Sequence, residues 1–212
     1  MKQKNLKIVS AGMPRSGSTW LYNAIRLIAI ENNIFGDSTP CGWCEDVDSN
    51  ESSWLIKIHT FDSLLSRNSD FIFYSYRDLR DALASNLRKF STPIDISLVD
   101  TFIEWDNKWR KVADYSMKYE DMLKNPEQEI KNIGKLLGYS GNAHVIIDAI
   151  KKLNYDSNGS RNETYNEKNL FHKNHITDGR IGSWKGQIEP ELLIEIEDRY
   201  KDWFLNNGYN LN

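Results

Sequence analysis

Gly12-Met13-Pro14-Arg15-Ser16-Gly17-Ser18-Thr19 joins a short apolar run, Lys7 to Ala11, to a segment from Thr19 to Glu31 whose residues Trp20, Ala24, Leu27 and Ile28 recur at helical spacing. Strand, glycine-bearing loop and helix in that order confine the chain to a small set of α/β folds, in which loop amides and the positive helix end face a bound anion. The frame is that of the nucleotide loop Gly-x-x-x-x-Gly-Lys-Ser/Thr, with Ser18 where the lysine stands. Anion binding survives the change, because it rests on backbone amides. ATP or GTP chemistry loses its main charge partner for the β- and γ-phosphates, and Arg15 supplies a different cation inside the loop.

The strand and helix pattern repeats downstream. Trp54 to His59 reads as a strand, and Phe71 to Tyr76 is a near-continuous apolar and aromatic run suited to a strand buried on both faces. Asp78 to Lys89 follows as a helix. Leu98, Phe102, Trp105, Trp109 and Val112 share one helical stripe, which is a packed core face. Ser116 to Tyr119 reads as a short strand, Pro126 to Leu137 as a helix closed by Gly138, and His144 to Leu153 as another helix. Gly36 to Ser53 is polar, acidic and rich in turn formers, so it is expected to be a long loop. Asn154 to Ser183 has little periodicity, and Pro190 to Phe204 is an amphipathic helix. The expected fold class is α/β: a P-loop-like three-layer fold with a central, mainly parallel sheet flanked by helices. With 212 residues, 40% of them hydrophobic, residues 1–212 hold one sizeable core and are read as a single domain.

A formal charge of -3 argues against a protein that coats nucleic acid. Met1 to Asn5 leads directly into the first strand, and no stretch approaches a signal-peptide core or a membrane span, so a soluble, cytoplasmic protein with no membrane partner is expected. The two cysteines, Cys41 and Cys44, have the Cys-x-x-Cys spacing of redox pairs and of half a zinc site. They lie in a turn-rich stretch without a second ligand pair, so they are read as loop thiols and no metal is expected.

Three further segments stand where a parallel sheet presents chemistry. Lys57-Ile58-His59-Thr60 ends a strand, and α/β sheets bind ligands at the carboxyl ends of their strands. An imidazole titrating near ~6.5 is neutral and still basic at working pH. Tyr76-Arg77-Asp78-Leu79-Arg80-Asp81-Ala82-Leu83-Ala84-Ser85 places an arginine at a strand end and a serine two helical turns into the next helix, a pair suited to a terminal phosphate. Read alone, Arg77 and Arg80 equally suit helix-surface ion pairs with Asp78 and Asp81.

Pro14 to Trp20 resembles the donor loop Pro-Lys/Arg-Ser-Gly-Ser/Thr-Thr-Trp of the cytosolic sulfotransferase family, and the order of the other motifs is similar to that family from Ile8 to Trp184. The resemblance implies an enzyme that uses 3′-phosphoadenosine 5′-phosphosulfate (PAPS) and releases adenosine 3′,5′-bisphosphate (PAP). It implies that Arg15, Ser16, Gly17, Ser18 and Thr19 cradle the 5′-phosphosulfate, that Arg15 sits near the bridging oxygen, and that Trp20 stacks on the adenine. Lys57 and His59 fit a Lys-Thr/Ser-His motif in which the histidine takes the acceptor's proton and the lysine steadies the departing oxygen. Arg77, Asp81 and Ser85 fit the 3′-phosphate motif Arg-x-Pro-x-Asp-x-x-x-Ser, with Leu79 in the proline position. Lys118 to Met122 resembles Tyr-Glu-Asp-Met, which gives Tyr119 an adenine contact; Glu120 and Asp121, on opposite sides of an extended segment, are read as structural. Asp178 to Lys185 resembles Arg-Lys-Gly-x-x-Gly-Asp-Trp through Gly179, Gly182 and Trp184. Thr177 and Asp178 replace its basic pair, which leaves Arg180 to reach the phosphate. Asn154 to Ser157 does not match the adenine segment expected there.

The implied reaction is in-line sulfuryl transfer to a hydroxyl or amine of a small-molecule acceptor. Two rivals stand beside it, a P-loop small-molecule or nucleotide kinase and a non-catalytic nucleotide-binding module. The acids Asp37, Glu45, Asp46, Asp48 and Glu51 before Trp54 suggest a cationic acceptor, such as a guanidinium natural product of the saxitoxin type.

Overall fold

A computed structural model describes residues 5–159 and 166–211. Residues 1–4, 160–165 and 212 lie outside the described residues, and with them the opening of the chain and part of the aperiodic stretch read over Asn154 to Ser183.

Five parallel strands, β1 (Lys7–Gly12), β2 (Cys41–Trp43), β3 (Trp54–Ile58), β4 (Phe71–Tyr76) and β5 (Tyr115–Lys118), stand in the order β2-β3-β1-β4-β5. Successive strand residues point to opposite faces, which divides the core in two. Ile8, Leu55, Phe73 and Met117 pack on one face with α1 (Ser18–Glu31), α6 (Pro126–Leu137) and α7 (Ala143–Gly159). Val9, Ala11, Ile56, Ile72 and Tyr74 pack on the other with α3 (Leu79–Phe90), α4 (Ile96–Arg110), α8 (Pro190–Arg199) and α9 (Lys201–Asn206). The expected three-layer α/β architecture is found, with every paired strand parallel. The short helices α2 (Ser63–Asn68) and α5 (Tyr119–Lys124) complete the fold.

Local chemistry sets the helix starts. Asp62, Asp78, Asp95 and Asn125 cap α2, α3, α4 and α6 with their side chains, and α6 ends at Gly138, whose φ of 70° suits glycine. No side chain caps α1, which begins just after Gly17.

Four local expectations need correction. The segment Gly36 to Ser53 is not all loop, because Cys41–Trp43 forms the edge strand β2. Cys41 packs with one core and Cys44 with the other, so the two thiols sit on opposite sides of the sheet. The segment at Tyr119 is not extended: the helix α5 starts where β5 ends, with Glu120 buried and Asp121 exposed. α7 continues through Asn154 to Ser157, and the helix from Pro190 is interrupted at Tyr200.

The carboxyl-terminal residues are tied to the middle of the fold. Arg80, 3% exposed, pairs with Asp78 and Glu197 and donates to the Asn210 carbonyl at 3.0 Å. Tyr209 Oη donates to Glu120 at 3.0 Å, and Lys118 Nζ to the Asn207 carbonyl at 2.6 Å. Arg80 is therefore a buried, fully paired cation rather than one of a helix-surface pair.

Candidate active site

Strand order alone marks where a ligand belongs. From β1 the chain goes to the edge strand β2 and back to β3 on one side, then crosses to β4 and β5 on the other, so the sheet splits beyond the carboxyl end of β1. The loops leaving β1, β3 and β4 deliver Arg15, His59 and Arg77 to that end, and Tyr119 opens α5 directly after β5.

The loop after β1 is built for close approach. A Cβ on Gly12 would lie 2.4 Å from Ser75 Oγ and 2.7 Å from Ser18 Cβ. Arg15 and Gly17 both have positive φ, 66° and 79°, the kind of turn that gathers amides into an anion-binding concavity. A Cβ on Gly17 would meet the Tyr119 ring at 2.9 Å. Ser16 is fully buried and turned inward, with its hydroxyl on the Met13 and Ser75 carbonyls and on Ser75 Oγ. It offers the site its backbone. Ser18 and Thr19 are buried in the first turn of α1, whose uncapped amides face the same end. Trp20 is half-buried against the core formed by α1, α6 and α7.

Two residues on from Lys57, His59 is half-buried, and its Nδ1 lies 2.5 Å from the Gly12 carbonyl. A carbonyl only accepts, so Nδ1 carries the proton and Nε2 keeps its lone pair. Trp109 Nε1 donates to the His59 carbonyl at 3.1 Å and fixes the backbone from α4. Burial, the Lys57 ammonium and the Arg15 guanidinium push the imidazole down to about 3. Lys57 is 1% exposed, and burial with the nearby Arg15 charge holds its ammonium well below the ordinary lysine range.

Arg77, 2% exposed, lies 4.2 Å from the Tyr119 ring centre and 3.6 Å from Asp81, and donates from Nη2 to the Arg180 carbonyl at 2.8 Å. Its Nε is buried without a partner. Arg15 donates from Nε to Ser85 Oγ at 3.0 Å and from Nη2 to the His175 carbonyl at 3.1 Å. Ser85 Oγ also lies 3.3 Å from Thr177 Oγ1, and Tyr119 Oη donates to the Gly179 carbonyl at 2.7 Å. Arg15, Ser85, Arg77, Tyr119 and Gly179 thus come together. The Arg180 side chain does not join them: it is 80% exposed and forms a two-pronged pair with Asp178. Its contribution at this point is the carbonyl that receives Arg77.

Cations outnumber acids here. Neither Arg15 nor Lys57 has a carboxylate partner among the described residues. Asp81, the acid beside Arg77, is already saturated by Gly182 N at 2.8 Å, Ser183 Oγ at 3.0 Å and Trp184 N at 3.0 Å. Burial and the neighbouring positive charges lower Arg15 as well as Lys57 and His59. Uncapped amides, unneutralised cations and the orphaned Arg77 Nε fit a polyanion with a phosphate at each end.

Two contributors leave little trace in the local sequence. Asp81 fits a motif, but the turn it holds, Gly182 to Trp184, lies 101 to 103 positions away and carries no mark of the contact. Trp43, whose ring faces Lys57 at 3.5 Å and His59 at 5.4 Å, belongs to a strand that its turn-rich surroundings conceal.

Comparison with known proteins bears on the family and the fold. The sulfotransferase domain family matches residues 96–208, which is half of the chain and excludes the donor loop, Lys57, His59 and Arg77. Cytosolic sulfotransferase 3 of Arabidopsis thaliana is 21% identical over 97% of this chain and 81% of its own length, and cytosolic sulfotransferase 6 is 24% identical over 97% and 82%. Among solved structures, mouse sulfotransferase SULT7A1 complexed with PAP aligns with a TM-score of 0.66 at 14% identity, covering 97% of this chain and 85% of the other. Retinol dehydratase in complex with androsterone and inactive cofactor PAP aligns with a TM-score of 0.65 at 15% identity, covering 100% and 84%. These structural likenesses carry the fold. Among the described residues no helix is long and apolar enough to cross a membrane.

Proposed function

The chain belongs to the sulfotransferase family, and on that premise we propose that it transfers the sulfuryl group of PAPS to a hydroxyl or amine of a small-molecule acceptor. The observation that carries the reading is the convergence of Arg15, Arg77, Ser85 and the uncapped start of α1 beside Lys57 and His59. PAPS supplies the transferable sulfuryl group. The acceptor's lone pair attacks sulfur, the bond from sulfur to the bridging oxygen breaks, and its electron pair stays on that oxygen as part of the 5′-phosphate of PAP. His59 Nε2 takes the acceptor's proton. Lys57 and Arg15 meet the charge growing on the bridging oxygen, as preorganised cations do in a water-poor site. Arg77 and Ser85 hold the 3′-phosphate, with Tyr119 beside the adenine.

Aromatic rings flank His59. Trp43 packs against the imidazole, and Phe61 makes an edge contact with Trp109 at 4.9 Å between ring centres. The half-buried Trp43 ring beside the imidazole supports an acceptor presenting a flat apolar face next to its nucleophilic atom. A guanidinium acceptor of the saxitoxin type finds less support. Glu45 is the acid of the Gly36 to Ser53 segment whose charge acts on Lys57, whereas Asp37 and Asp46 line a cavity of about 630 Å³ whose walls include neither Lys57 nor His59.

Calorimetry with PAP and ATP, followed by an acceptor screen with radiolabelled PAPS, tests the reading. PAP is expected to bind and label to pass to phenols ahead of cationic acceptors; ATP binding that exceeds PAP binding would favour the kinase reading.

A pH dependence follows from the crowded cations. His59 and Lys57 lie below their ordinary values because of burial and neighbouring positive charge, and an anionic ligand raises both again. Proton uptake is then expected to accompany PAP binding, and affinity to tighten as pH falls through the range in which the phosphates stay largely ionised. Calorimetry in buffers of different ionisation enthalpy measures the uptake, and net proton release would contradict the assignment.

A further inference from the structure

Trp43 stands on the edge strand β2 as the register partner of Lys57. Its ring centre lies 3.5 Å from Lys57 Nζ and 5.4 Å from the centre of the His59 ring, tilted by 60°. The Lys57 ammonium is buried and has no carboxylate partner among the described residues; the charges acting on it come from Arg15, which repels it, and Glu45, which attracts it. A lysine on a flexible four-carbon stem loses rotamer freedom when it is held in one place, so something must hold it. A carboxylate at this position would neutralise the ammonium and compete with the donor. An aliphatic side chain would leave the charge without a partner. An indole face attracts the cation while leaving its charge intact.

We propose that Trp43 is a positioning residue, which holds the Lys57 ammonium for the bridging oxygen of the donor and braces the adjacent imidazole of His59. The proposal rests on the reading of Lys57 and His59 as sulfuryl-transfer residues. It acts through Lys57, and that is what separates it from a residue that only packs or only touches the acceptor.

The test is a double-mutant cycle of Trp43→Leu and Lys57→Met, read as kcat with radiolabelled PAPS and as PAP affinity by calorimetry. Trp43→Leu is expected to lower kcat on the order of tenfold, while PAP affinity stays within about twofold. Trp43→Phe, which keeps an aromatic face, is expected to stay within about threefold of wild type. In the Lys57→Met background the further change Trp43→Leu is expected to alter kcat by less than about twofold, because its partner is already gone. Losses that multiply would overturn the proposal. A measurement on the wild-type protein needs no variant to fold: the Lys57 Cε protons, over an indole face, must resonate upfield of ordinary lysines, and ordinary shifts would overturn the proposal too. A wild-type protein that neither binds PAP nor turns over PAPS would overturn the functional reading and the proposal with it. Multiplicative losses in an active wild type would sink the proposal alone.

Discussion

Replacement of His59 by alanine is expected to lower kcat by about 10²- to 10⁴-fold, the usual contribution of a positioned general base, while PAP affinity changes by less than about twofold. The imidazole is fixed at both ends of its residue, by the Gly12 carbonyl at Nδ1 and by Trp109 at the backbone, so its loss removes the base together with one hydrogen bond to the donor loop, which Ser16 still ties to the Met13 and Ser75 carbonyls. Single-turnover rates and PAP calorimetry on the same variant separate the two effects. Retention of the wild-type rate would assign the proton to another group. A second signature is thermodynamic. The folded-state value of His59, about 3, lies below the ordinary value of the unfolded chain, so the unfolded state binds more protons between the two. Its contribution to stability is therefore complete above about 6.5 and is lost as pH falls toward about 3. His59→Ala should show a shallower loss of stability over that window, measured by denaturant midpoints.

The largest expected effect on stability comes from Asp81, which is fully buried on α3. Alanine there strands the Gly182 and Trp184 amides, the Ser183 hydroxyl and the Arg77 guanidinium together. Removing one partner of a buried, hydrogen-bonded charge costs about 3–5 kcal/mol, and denaturant unfolding of Asp81→Ala should show a loss of that size. Because the released turn adjoins Gly179 and Arg180, whose carbonyls receive Tyr119 and Arg77, PAP affinity should fall on the order of tenfold in the same variant. Asp81→Asn keeps an acceptor oxygen and the shape, so it should lose less of both. A folded Asp81→Ala protein with full PAP affinity would show that the turn and the donor site are independent.

Much of the fold is legible in the residues themselves. The apolar runs of β1, β3 and β4 announce themselves because those strands are central and buried on both faces, and the loop before α1 is marked by its glycines. What stays hidden depends on distant parts of the chain. The strand β2 is three residues long and exists through its ladder with β3, so neither composition nor periodicity marks it. α5 follows β5 without an intervening turn, and the change from extended to helical backbone at Tyr119 carries no glycine or proline. Arg15, Lys57, His59, Arg77 and Ser85 are readable because strand ends and helix starts are local features. The partners that tie Arg15, Arg77, Asp81 and Tyr119 to the His175 to Trp184 segment are mostly backbone carbonyls and amides, which every residue possesses and no sequence pattern distinguishes.

The ties made by the last described residues bear on how the protein can be handled. Asn210 receives Arg80, and Tyr209 grips Glu120, so the carboxyl end is clamped to the two helices, α3 and α5, that carry Ser85 and Tyr119. A purification tag or fusion partner joined tightly after residue 212 would pull on those helices and so on the nucleotide half of the site. A flexible spacer there, or attachment at the amino end, leaves the clamp slack and is the better choice for measuring donor affinity.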